Sequence, residues 1–135
     1  MEIDRMIKKT IFLAERQAYV RDALALMLDH QPEFHVVGFA DSPESLLGQL
    51  HGLKPDAILL DWELAALAPD STIPALRACC PHCCLLMTSV RAELANQIEP
   101  FGVDGFLSKQ LSPDDFTAAL CGFMQTREEN EKKAD

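Results

Sequence analysis

Asp61 closes the apolar run Ala57-Ile58-Leu59-Leu60, and a carboxylate in such a place is costly unless something there uses its charge. Comparable positions, just past other apolar runs, hold Glu15-Arg16, Thr88-Ser89 and Lys109. These supply acids, bases and hydroxyls. Brought together, they would set a nucleophilic oxygen beside an ammonium and an alcohol able to clasp one tetrahedral anion.

The elements that must position them alternate regularly. Strands are predicted over Thr10–Ala14, His35–Phe39, Ala57–Leu60, Cys83–Met87 and Val103–Leu107. Between them Val20, Ala23, Leu24, Met27 and Leu28 recur at helical spacing and predict a helix over Ala18–His30. Ser42 and Pro43 open a second helix as N-cap and first helical residue. A short helix is predicted over Thr72–Cys79 and another over Arg91–Glu99, cut off by Pro100, while residues 64–71 read as loop. Ser112-Pro113 opens the last helix, with Asp115 at the capping-box position and Phe116, Ala119, Leu120 and Phe123 on one face. Five strands alternating with five helices predict an α/β fold: a doubly wound, five-stranded parallel sheet whose working site lies at the C-terminal strand ends. Residues 1–125 form the domain, and 126–135 read as a charged tail, either a frayed helix end or a linker stub.

With 135 residues and 48% hydrophobic content the chain can enclose one core. Its net charge of −9 argues against direct nucleic acid binding. No stretch approaches the roughly 18 apolar residues of a membrane span, and the start lacks a signal-peptide core, so a cytoplasmic location is expected. Four of the five cysteines fall in CCPHCC, residues 79–84. Their tandem spacing fits buried reduced thiols better than a zinc site, the minor alternative. His30, His35, His51 and His82 read as surface residues. No Gly-rich phosphate loop supports a flavodoxin-like enzyme or cofactor binder.

The pieces ILLDWEL, LLMTS and GFLSK, in this order and each at a strand end, resemble the receiver domain of bacterial two-component response regulators. The wording GFLSKQLSPDDF is similar to receivers usually fused to a helix-turn-helix DNA-binding domain, hence transcription regulation. The resemblance covers about Lys9 to Met124 and implies a phosphorelay module rather than an enzyme. On it, Asp61 is the phospho-acceptor, Lys109 and Thr88 hold phosphoryl oxygens, and Ser89 is the second candidate for the hydroxyl. Phe106 is the switch residue or, equally, a core phenylalanine. Trp62 reads as a packing or partner-surface residue. Mg²⁺ would be held by Glu15, Asp61 and the backbone carbonyl of Glu63. The partner is a sensor histidine kinase or phosphotransfer protein, and the family allows a homodimer.

The departure lies after the first strand, where the family carries two acids and this chain has Glu15-Arg16. Glu15, Arg16 and Asp61 sum to −1 where three acids give −3, so the Mg²⁺ site should be weak or absent. Arg16 either pairs with Asp61 and takes the metal's place or turns outward to solvent. Two functions follow: a phospho-accepting switch, or a degenerate pseudo-receiver serving as a phosphorylation-independent docking or dimerisation module.

Overall fold

Alternate residues of the central strands face opposite sides of one sheet, and each side is apolar, which requires helices on both. The structure is a computed structural model and describes residues 8–134. Its strands are β1 (Lys9–Ala14), β2 (Phe34–Ala40), β3 (Ala57–Asp61), β4 (Cys84–Ser89) and β5 (Gly105–Ser108), all parallel, in the order β2-β1-β3-β4-β5. The helices are α1 (Ala18–Asp29), α2 (Pro43–Leu50), α3 (Trp62–Ala65), α4 (Thr72–Cys79) and α5 (Pro113–Ala134).

Phe12, Ile58, Leu60, Leu85 and Met87 pack against Leu46 and Leu50 of α2, Leu64 of α3 and Leu76 of α4. Ile11, Leu13, Leu59 and Leu86 pack on the opposite face against Leu28 of α1 and Phe116, Leu120 and Met124 of α5. The doubly wound parallel sheet is therefore as expected. The predicted caps form: Ser45 N–H donates to Ser42 Oγ and Asp115 N–H to Ser112 Oγ, both at 3.1 Å.

Three segments differ from the expectation. The helix predicted over Arg91–Glu99 is two 3₁₀ turns, Ala92–Gln97 and Glu99–Phe101. Leu94 is their one buried residue, and Pro100 removes a backbone donor, so an α-helix there lacks both an apolar face and a hydrogen bond. A four-residue helix, α3, stands directly after Asp61, because the Asp61 carboxylate caps its start and Leu64 and Ala65 are buried.

The charged end is the third difference, since α5 continues through Ala134 as one helix. Arg127 holds it to the body of the domain, donating from Nη1 to Asp104 Oδ1 at 3.1 Å and from Nη2 to the Pro81 carbonyl at 2.7 Å. Lys9 pairs with Glu128, and Glu131 lies 3.0 Å from His82 Nδ1. Among the described residues no helix is long and apolar enough to cross a membrane.

Candidate phospho-acceptor site

Parallel strands end on the same edge, so the side chains just past β1, β3, β4 and β5 meet there although they are far apart in sequence. Glu15 follows β1 and its N–H is fixed by the Ala40 carbonyl at 2.9 Å. Asp61 ends β3. Ser89 ends β4, and its carbonyl accepts from Lys109 N–H at 2.8 Å, which sets the height of the lysine over the edge. A cleft of about 260 Å³ is lined by Glu15, Arg16, Asp61, Glu63, Ser89 and Lys109, among others.

Lys109 is the centre of the charge pattern. Its Nζ donates to Asp61 Oδ1 at 2.7 Å and to Glu15 Oε1. The side chains of Lys109, Glu15 and Asp61 are only 11%, 4% and 7% exposed, so this triad is largely desolvated and each charge depends on the others. Burial alone would depress the Lys109 ammonium. The hydrogen bonds and charges of Asp61 and Glu15 outweigh that and hold it above its ordinary range.

The remaining carboxylate oxygens are also engaged. Gln17 N–H donates to Glu15 Oε2 at 3.2 Å and Leu64 N–H to Asp61 Oδ2 at 3.3 Å. Arg21 braces the turn by donating to the Glu15 carbonyl at 2.9 Å while stacking over Phe39. Gln17, Arg21 and the Leu64 amide escape sequence reading because they act through backbone groups, which leave no residue-type signature.

Thr88 is the in-register partner of Asp61 on β4 and is buried, and its neighbour Ser89 lines the cleft. Successive strand residues point to opposite sides and in-register neighbours to the same side, so the Thr88 side chain leaves the sheet on the side of Asp61 and that of Ser89 on the other. Both sit in an unbroken buried run, and the sequence offers no alternation to choose between them.

Arg16 is exposed and lines the cleft, with no ion pair to Asp61 among the described residues; Lys109 makes that contact instead. Glu63 also lines the cleft. Phe106 is half-buried on the α2–α4 side of the sheet, in register with Met87, and Trp62 meets Phe101 edge to face at 5.5 Å.

The donor set does not fit a tightly held Mg²⁺. That ion demands near-octahedral oxygen ligation. Here the two carboxylates have all four oxygens engaged, an ammonium lies between them, and a guanidinium lines the same cleft. Nor is any group of three or more His, Cys, Asp or Glu among the described residues placed to hold a metal, CCPHCC included. Cys80, Cys83 and Cys84 are buried free thiols as expected, but Cys79 is exposed. They border a larger cavity of about 650 Å³ between residues 79–84 and the end of α5, away from the strand-end acids.

Fold and cleft together define an α/β signalling domain of the receiver class. The chain belongs to the response regulator receiver domain family, whose profile matches residues 11–121. The nitrate/nitrite response regulator protein NarL of Escherichia coli is 27% identical over 113 residues, 82% of this chain and 52% of that protein. A protein-glutamate methylesterase/protein-glutamine glutaminase of Cereibacter sphaeroides is 41% identical over 54 residues, 40% of this chain and 15% of that enzyme. The chain thus spans about half of one relative and a small part of the other.

Among solved structures, a LuxR-family two-component response regulator from Aurantimonas sp. superposes with a TM-score of 0.77 at 17% identity, covering 90% of this chain and 88% of that one. CheY6 of R. sphaeroides, solved in complex with the P1 domain of CheA3, does so with a TM-score of 0.72 at 20% identity, covering 90% and 97%. These likenesses establish the fold.

Proposed function

We propose that this receiver domain accepts a phosphoryl group on Asp61 from the phosphohistidine of a sensor histidine kinase or phosphotransfer protein. An Asp61 carboxylate oxygen attacks phosphorus, the bond from phosphorus to the donor imidazole breaks, and the imidazole keeps the electron pair and takes a proton from water. The transferred group needs placement and charge neutralisation more than covalent chemistry. Lys109 is already within hydrogen-bond reach of Asp61 and moves to a phosphoryl oxygen, and Thr88, on the same side of the sheet as Asp61, offers the hydroxyl.

The observation that carries this reading is that four strand ends place Glu15, Asp61, Ser89 and Lys109 around one cleft. With Lys109 drawn to the phosphoryl group, the Glu15–Asp61 clasp opens. Ser89, next to Thr88, is tied through its Oγ to Arg91 N–H at 3.0 Å, so a shift at the end of β4 reaches the 3₁₀ segment beside β5 and Phe106. The interaction face formed by β4, that segment, β5 and α5 is the output, for a partner protein or a second copy. Divalent metal binding is weak, for the reasons of ligand supply given above.

The test uses acetyl phosphate as donor and intact mass as readout. A single phosphoryl adduct is expected in the native chain and none in Asp61→Asn. An adduct that persists in Asp61→Asn would overturn the assignment of the acceptor.

A further inference from the structure

A phosphoryl group on Asp61 carries two negative charges where the carboxylate carried one, so transfer adds negative charge to a cleft in which two buried acids already share one ammonium. Some further cation must meet it. A divalent metal is poorly served here, because each carboxylate oxygen has a partner already and Arg16 would repel the ion. Arg16 lines the cleft immediately after Glu15, is exposed, and has no salt bridge among the described residues. Turning inward breaks no salt bridge among the described residues. A guanidinium presents planar paired donors that match phosphate oxygens and cannot lose its proton.

We propose that Arg16 binds the phosphoryl oxygens on Asp61 in place of a divalent cation, so that phosphoryl acceptance by this domain is metal-independent. The inference rests on Asp61 being the acceptor. Lys109 and Arg16 set against Glu15, Asp61 and Glu63 leave the cleft at −1 before transfer. Two cations lining the cleft then share the charge of the phosphoryl group. Arg16 also stands two residues before the first residue of α1, whose unpaired N-terminal amides add positive potential on the same side.

The experiment follows adduct formation from acetyl phosphate by intact mass, with EDTA or with added Mg²⁺, in the native chain, Arg16→Gln and Arg16→Asp. Mg²⁺ binding is followed separately by the fluorescence of Trp62, the one tryptophan and the neighbour of Asp61. The native chain is expected to form adduct equally with EDTA and with Mg²⁺, and to give no saturable fluorescence change at millimolar Mg²⁺. Arg16→Gln should slow the metal-free reaction by about ten- to a hundredfold, the worth of a charge-assisted hydrogen bond. Arg16→Asp should abolish it and gain both Mg²⁺ binding and Mg²⁺-dependent adduct. Native adduct that needs Mg²⁺ would overturn the inference and leave Asp61 as acceptor. An unchanged metal-free rate in Arg16→Gln would overturn the role of Arg16. No native adduct under either condition would remove the acceptor reading and this inference with it. The EDTA comparison on the native chain decides metal dependence even if a variant fails to fold.

Discussion

Lys109 Nζ donates to Asp61 Oδ1 at 2.7 Å while also holding the Glu15 carboxylate, so a single ammonium keeps two buried acids from facing each other unneutralised. Lys109→Ala leaves those acids without a counter-charge and should cost about 3–5 kcal/mol of folding stability. Adding Glu15→Gln should return part of the loss by removing one of the stranded charges. Urea denaturation of the single and double variants, followed by Trp62 fluorescence, checks both. A single variant as stable as the native chain would show that the triad is not coupled.

Asp104 is a second, half-buried hub, outside the cleft lining. It accepts from Leu85 N–H and from Arg77 Nη2, both at 2.8 Å, and from Arg127 Nη1 at 3.1 Å. Asp104→Ala strands three donors and should lower stability by about 3 kcal/mol, while Arg127→Ala should cost about 1 kcal/mol and fray the last turns of α5. Thermal unfolding measures the first, and the loss of helical circular dichroism the second.

Burial pushes the thiols of Cys83 and Cys84 up to about 12 from the ordinary 9.0. The folded chain keeps these protons where the unfolded chain releases them. The resulting stabilisation is complete below about pH 9 and is lost as pH rises toward 12. Between about pH 8 and about pH 10.5 each thiol should therefore remove roughly 2 kcal/mol. The Cys83→Ala, Cys84→Ala double variant should show a flatter decline in urea midpoint over that range, the Lys109 contribution being common to both proteins.

Gly105 opens β5 where Phe123 of α5 lies against it, and a Cβ there would stand 2.3 Å from Phe123 Cε1. Gly105→Ala should cost about 1–3 kcal/mol through overpacking, with Phe123→Leu in the same background recovering most of it. Equilibrium unfolding of the three variants measures this.

Much of the fold was legible because its signals are local. The apolar strands, the Ser42 and Ser112 caps and the proline-marked helix starts all need only near neighbours, and each is present in the structure. Where a segment depends on burial the sequence misled: nine residues beginning at Arg91 have tolerable helix propensity but one buried anchor, Leu94, so 3₁₀ turns replace the helix. Residues 126–135 read as a frayed helix end or a linker stub, and the sequence could not show them tethered because their partners, Asp104, Pro81 and Lys9, lie far away along the chain.

For the candidate site, residue types and their positions after strands pointed by themselves to Asp61, Lys109, Glu15 and the anomaly of Arg16, since strand ends of a parallel sheet converge whatever the loops do. Tertiary structure alone decided that Thr88 stands in register with Asp61, that the cation bound to Asp61 is Lys109 and not Arg16, and that every oxygen of the two acids is engaged. Those answers depend on side-chain direction and on contacts between segments dozens of residues apart, and neither is encoded in spacing along the chain.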